Sequence, residues 1–193
     1  MQFEKARDFI FKKQEDDLPP SLIYHTISHI RDVYEAAGRI ADQENIGEHD
    51  CKLLLTAAAF HDSGFLKKRD GHEQLSCCIA RDVLPLYNYT EADIEKICGM
   101  IMATRLPQSP QNHLEQILAD ADLDYLGRDD FFPIGDKLFR ELLIAGLIKD
   151  ENDWNQLQAS FMEKHHYFTA TASAQRKEKK DDNLKQVKAK LKT

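Results

Sequence analysis

No stretch of this chain is apolar for long enough to cross a bilayer. The longest runs, such as Leu53 to Phe60, fall far short of the ~20 residues a spanning helix needs. The opening MQFEKARDFIFKKQEDD lacks the apolar block of a secretory leader, because acids and lysines punctuate its apolar positions. A cytoplasmic protein with no membrane partner is therefore expected. The four cysteines (Cys51, Cys77, Cys78, Cys98) show no Cys-x-x-Cys spacing, which argues against a zinc–thiolate site. All four fall inside apolar helical patterns, so buried, reduced thiols are expected. An excess of basic charge is also missing, the net charge being −7. Arg176 to Thr193 carries eight basic and three acidic residues, which leaves eighteen basic against thirty acidic in the rest. An acidic body does not suit a nucleic-acid groove, and the basic end reads as a solvated terminal helix.

Alternating strand patterns and internal repeats are absent too, and what remains is helical periodicity. Residues 2–17 form an amphipathic pattern stopped by Pro19-Pro20. A second helix is expected over about 26–45, with His29, Val33, Ala36, Ala37 and Ile40 on one face. A third runs from about His49 to Phe60 and breaks at Ser63-Gly64. Leu66 to Gly71 reads as a charged loop, and His72 to Leu84 as the next helix. Thr90, with Asp93 in the capping-box position, opens a helix to about Thr104. The proline-bearing RLPQSPQNH is the longest loop. Helices follow at about 114–126, 130–148 and 152–172, and then a loosely attached Lys-rich helix or tail. The expected fold is all-α, a single compact multi-helix bundle. It divides into an N-terminal helix (1–20), a catalytic domain (21–150) and C-terminal helices with a basic tail (151–193).

The chemistry is carried by His61-Asp62, which follows the apolar segment Leu53 to Phe60 and so sits at the edge of the core. Ionisable groups there are costly unless something charged satisfies them. One divalent cation can pair with a carboxylate and an imidazole together. His29 lies on the apolar face of an earlier helix, and LADADLDYLG places Asp120 and Asp122 within a later one. Inward ligands from three helices are how metal sites are built in bundles. The two aspartates point about 200° apart on a helix, so only one faces a given ion. Asp120 is preferred, since it follows Ile117-Leu118 on the core face, with Asp122 as the alternative.

Tyr24-His25-Thr26-Ile27-Ser28-His29, Phe60-His61-Asp62-Ser63-Gly64 and Asp120-Ala121-Asp122 together resemble the HD superfamily of metal-dependent phosphohydrolases. The superfamily is defined by an ordered His … His-Asp … Asp motif, and the resemblance covers roughly Ser21 to Arg128. The Tyr-His-x-x-x-His opening also resembles the start of the cyclic-nucleotide phosphodiesterase catalytic domain. The resemblance implies an HD-type fold and His29, His61 and Asp62 as metal ligands, completed by Asp120 or Asp122. It also implies His25 as a general acid. Asp62 or the aspartate near 120 would take a proton from the attacking water. The implied cofactor is one transition-metal ion: manganese, iron, zinc, cobalt or nickel. His72 departs from the minimal motif and is a candidate for a second metal or a phosphate contact. A further histidine near Thr104 or His113, which a full second site would need, is not found.

A phosphorylated substrate needs counter-charges, for which Arg105, Lys67 and Lys68 are candidates, Arg105 foremost. The implied substrate is a small phosphoester: a nucleotide, a cyclic nucleotide or another of that class. Tyr24, Phe65, Tyr125 and Phe131 are available to stack on a base, though aromatics at such spacings more often build core. Two alternatives share the scaffold. One is a catalytically inert nucleotide- or partner-binding module. The other is a di-iron oxygenase, which would need more histidines than the chain offers.

Overall fold

The computed structural model describes residues 1–191, among which there are helices and turns and no strand. α1 (Phe3–Asp17) buries Ala6 and Ile10. α2 (Ile27–Gln43) turns Ile30, Val33, Ala37 and Ile40 inward. α3 (Glu48–Phe60) is buried along nearly its whole last two turns. α4 (His72–Val83), α5 (Glu91–Ala103) and α6 (His113–Asp122) complete the first group. α2 packs on α3 and α6, and α5 packs on α3, α4 and α6. The apolar faces of α1 to α6 meet in one core that holds Phe60, Leu53, Leu54, Ile97 and Ile101. Burying each such side chain contributes about 1.5–3 kcal/mol.

The caps explain where the helices begin. Thr90 Oγ1 accepts from the Asp93 amide at 3.2 Å while the Asp93 carboxylate accepts from the Thr90 amide at 3.3 Å, which is the reciprocal box expected at α5. Asn112 caps α6, its side chain accepting from the Glu115 amide at 3.1 Å. α6 stops at Asp122, short of the expected 126, and a 3₁₀ turn follows over Asp124–Gly127.

The C-terminal part corrects the sequence reading most. α7 (Phe131–Ile144) falls within the helix expected over 130–148, but in place of one helix over 152–172 there are α8 (Glu151–Lys164) and then α9 (Ala170–Ala189), with a break at 165–169. α9 is neither solvated nor loosely attached, since it packs on the Asp124–Gly127 turn and on α8. Asp124, 1% exposed, receives Arg176 Nε at 2.8 Å and Arg39 Nη2 at 2.9 Å. The Asn183 amide donates to Leu126 O at 3.0 Å and to Arg128 O at 3.1 Å. Lys180 Nζ donates to the His165 carbonyl, and Val187 is fully buried. A Cβ at Gly127 would lie 2.3 Å from Arg176 O, so only glycine lets α9 come this close. The inward face of α9 is polar, which is why apolar periodicity missed it. Asn183→Ala is expected to cost about 2 kcal/mol, read as a lower denaturant midpoint, because two buried carbonyls lose their donor.

The cysteine expectation also needs one correction. Cys77 and Cys98 are buried and Cys51 is half-buried, but Cys78 is exposed, because adjacent helical residues cannot both face the core. No helix among the described residues is long and apolar enough to cross a membrane.

Candidate metal centre and cleft

α3 ends against the core, so the two residues that follow it are held in place by packing. His61 is 1% exposed and Asp62 4%. His61 Nδ1 donates to the Ala58 carbonyl at 2.8 Å, which can only accept, and this leaves Nε2 as the ring's free nitrogen. Gly64 sets what lies opposite. A Cβ there would fall 1.9 Å from His72 O, so glycine lets the Ser63–Leu66 turn lie against the start of α4. His72 is thereby brought to Asp62, Nε2 to Oδ1 3.4 Å.

α2 contributes His29 and α6 contributes its last residue, Asp122. His29 Nε2 lies 3.3 Å from Asp122 Oδ1 and 3.5 Å from Asp62 Oδ2. His61 Nε2 lies 3.6 Å from the same Asp122 oxygen and 3.3 Å from the same Asp62 oxygen. His29, His61 and Asp122 each offer one donor atom within 4.8 Å of the others, as metal ligands do. Ligands ~2.0–2.2 Å from a shared cation sit roughly 3–3.5 Å apart, which these separations match. Moreover, His61 Nε2 and Asp62 Oδ2 are buried without a hydrogen-bond partner. Orphaned polar atoms of this kind need an explanation, and a cation supplies one for both. Burial alone would raise both carboxyls, but the neighbouring histidines outweigh it and hold Asp62 and Asp122 well below the usual range.

The preference for Asp120 is corrected by its placement. Its carboxylate faces away from the histidines and accepts from Phe168 N at 2.9 Å, Thr169 N at 2.8 Å and Thr169 Oγ1 at 2.7 Å. Asp120 is the more buried of the two, yet what it meets is the start of α9.

His25 lies beside this cluster, its ring stacked on Phe65 at 4.3 Å, with His72 also stacked on Phe65 at 4.2 Å and 6.3 Å from His25. His25 Nδ1 meets Glu141 Oε1 at 2.5 Å. Glu141 Oε2 accepts the amides of Ile23, Tyr24 and His25 at 2.8–3.0 Å, and Arg69 Nη2 reaches Oε1 at 2.7 Å. Burial would raise the Glu141 carboxyl, but bonds from His25, the backbone and Arg69 keep it well below its usual range. Sequence reasoning missed Glu141, and it reached Arg69 only as part of the Lys67–Arg69 run that could offer counter-charge to a phosphate. A signal for Glu141 existed: a lone acid on the apolar face of α7, one turn from Leu138.

These groups open into a cleft of about 480 Å³. Its lining includes His25, Asp62, His72 and Asp122, together with Arg69 and Arg105. The remainder is largely apolar and comes mostly from α7 and α8. Lys67 and Lys68 are exposed and do not line the cleft, because the half-buried place in that loop goes to Arg69. Tyr24 and Tyr125 line the cleft, whereas Phe131 is buried core. His113 is turned outward to Glu44 at 3.4 Å.

No curated protein matches the chain. Three solved structures share its fold. A predicted HD superfamily hydrolase from an uncultured Thermotogales bacterium is 20% identical with a TM-score of 0.63, covering 96% of this chain and 89% of that one. Bacillus subtilis YpgQ, solved in complex with ADP, is 19% identical with a TM-score of 0.68, covering 98% and 95%. A Lactobacillus plantarum protein is 18% identical with a TM-score of 0.65, covering 98% of both chains. The model of the HD domain matches residues 26–124, a span that holds every histidine and aspartate of the cluster. With its ordered motif folded into one cluster, the chain belongs to the HD domain family, whose members are generally metal-dependent hydrolases.

Proposed function

We propose that the chain is a metal-dependent phosphohydrolase acting on a small, nucleotide-like phosphate ester. The observation that carries this is the convergence of His29, His61, Asp62 and Asp122 in the cleft, with buried donor atoms left unpartnered. One transition-metal ion held by these four residues would polarise a phosphoryl oxygen and a water. Asp62 is placed to take the water proton, since its Oδ1 is free of the two ligand histidines. His25 would give a proton to the leaving oxygen. Its Nδ1 is committed to Glu141, so Nε2 is the atom for that transfer. Arg105, exposed at the cleft wall, is the phosphate contact, and Arg69 holds Glu141 and lies over Phe65. His72 supports Asp62. The ADP held by the Bacillus subtilis relative favours a nucleotide as substrate. Residues 21–150 would carry the reacting groups and 151–193 part of the substrate wall, with 1–20 as a supporting helix.

The test is a metal analysis of the purified chain, followed by a panel of phosphate esters with added manganese. Near-stoichiometric metal and phosphate release, both lost in Asp62→Ala, are expected. Nucleotide binding with no turnover of any ester would replace the enzyme with a binding module. His25→Ala is expected to keep its metal and lose ~100- to 10,000-fold in turnover on esters with poor leaving groups. An equal loss on nitrophenyl esters would remove the acid role.

A further inference from the structure

The apolar part of the cleft is lined by Leu126, Leu138, Leu142, Trp154, Leu157 and Phe161. Among these side chains sits one polar group, Gln158 on α8, which is only 7% exposed. Of the other buried amides, Asn183 donates to two carbonyls, and Gln14 donates to Ile10 O and Ala59 O while its Oε1 stays unpartnered. Gln158 forms no hydrogen bond among the described residues, and its side chain lines the cleft. A neighbouring cavity, which holds Asn155, Phe139 and Lys190, is lined by Gln158 and Trp154 as well, so the amide stands between the two.

We propose that Gln158 is a specificity residue that reads the edge of a flat heteroaromatic ring seated between α7 and α8. A primary amide presents a donor and an acceptor side by side, which matches the paired acceptor and donor on a nucleobase edge. The leucines and Trp154 supply the apolar faces between which such a ring packs. An alkyl chain would fill the same space but leave the amide buried and unpaired, which is unfavourable. The charge distribution agrees, because Arg69, Arg105 and residues of the metal-ligand cluster line the same cleft, where a phosphate would be held. The inference takes the phosphate position from the phosphohydrolase reading, but the ring site stands on Gln158 and its apolar surroundings.

Trp154 is the chain's only tryptophan and lines this part of the cleft, so its emission reports occupancy without any turnover. The full chain would be titrated with the four ribonucleoside monophosphates, with glycerol phosphate and with decyl phosphate. One base is expected to change the emission at a concentration ~10-fold lower than the least favoured base. Gln158→Leu, which keeps the volume and removes the polar atoms, should bring all four bases to within ~3-fold while the fold is retained. A Cβ at Gly135 would lie 3.3 Å from Gln158 Nε2, so Gly135→Ala should disturb the same ranking with Gln158 in place. Decyl phosphate binding as tightly as the nucleotides, or an unchanged ranking in Gln158→Leu, would overturn the proposal. So would a lack of response to every base. A ranking by base with no hydrolysis would uphold this site and remove the phosphohydrolase reading. Hydrolysis without a ranking would do the reverse.

Discussion

Asp122→Ala is expected to purify without metal and to lose turnover by on the order of 1000-fold or more. Asp120→Ala, two residues away, is expected to keep its metal and lose about 2–4 kcal/mol of stability instead. The contrast follows from where each carboxylate points. Asp122 Oδ1 lies 3.3 and 3.6 Å from the two histidine nitrogens, so its loss removes charge from the one place a cation would be held. Asp120 accepts two amides and a hydroxyl at 168–169, so its loss strands buried donors at the start of α9. Metal content and a urea midpoint on the metal-free chain separate the two. Metal lost from Asp120→Ala and kept by Asp122→Ala would sink the ligand assignment.

Glu141→Gln is expected to lower turnover ~10- to 100-fold with metal still bound, and to destabilise the chain by about 2–3 kcal/mol. Glu141 holds three backbone amides, His25 and Arg69 together, and a neutral amide cannot accept from all of them. Its pH signature has a definite sign. The folded carboxyl titrates well below the ordinary glutamate value of 4.5, so its stabilisation is fully present above that pH. The stabilisation is lost as pH falls through the lower, folded value. Glu141→Gln should therefore unfold with less acid dependence below about pH 4.5 than the parent chain. His165 acts over a higher window. Burial and the charge of Lys180 push it down from 6.5 to about 3, so its contribution is complete above 6.5 and declines toward 3. Acid melts of both chains should share that upper slope, and a shared lower slope as well would argue against the role given to Glu141.

Much of this was legible in the residues themselves. α1 to α6 follow from apolar spacing and caps because each buries an apolar stripe, and the capping box at Thr90–Asp93 marks its helix directly. His29, His61 and Asp62 were legible because imidazoles and carboxylates on apolar faces are costly without a partner. The choice between Asp120 and Asp122 was not, because burial alone separates them the wrong way. What Asp120 meets lies at Thr169, on a helix whose attachment runs through Asn183, Lys180 and Arg176. Polar contacts of that kind have no period to read. Glu141 was missed although its signal is the same kind as that of His29. Its partners at 23–25 are backbone amides, which no sequence pattern marks.

The two carboxylates at the end of α6 give the chain a form of reciprocal coupling. Asp122 faces the candidate cation site and Asp120 grips the start of α9, so one short segment answers to both. Whatever fixes that segment from one side lowers the entropy left to lose from the other. Metal binding and α9 docking must then strengthen one another by the same factor, as linkage requires. A protease that cuts near 165–169 would thus report metal occupancy from a point outside the cleft, and a weakened α9 would reveal itself as a looser metal.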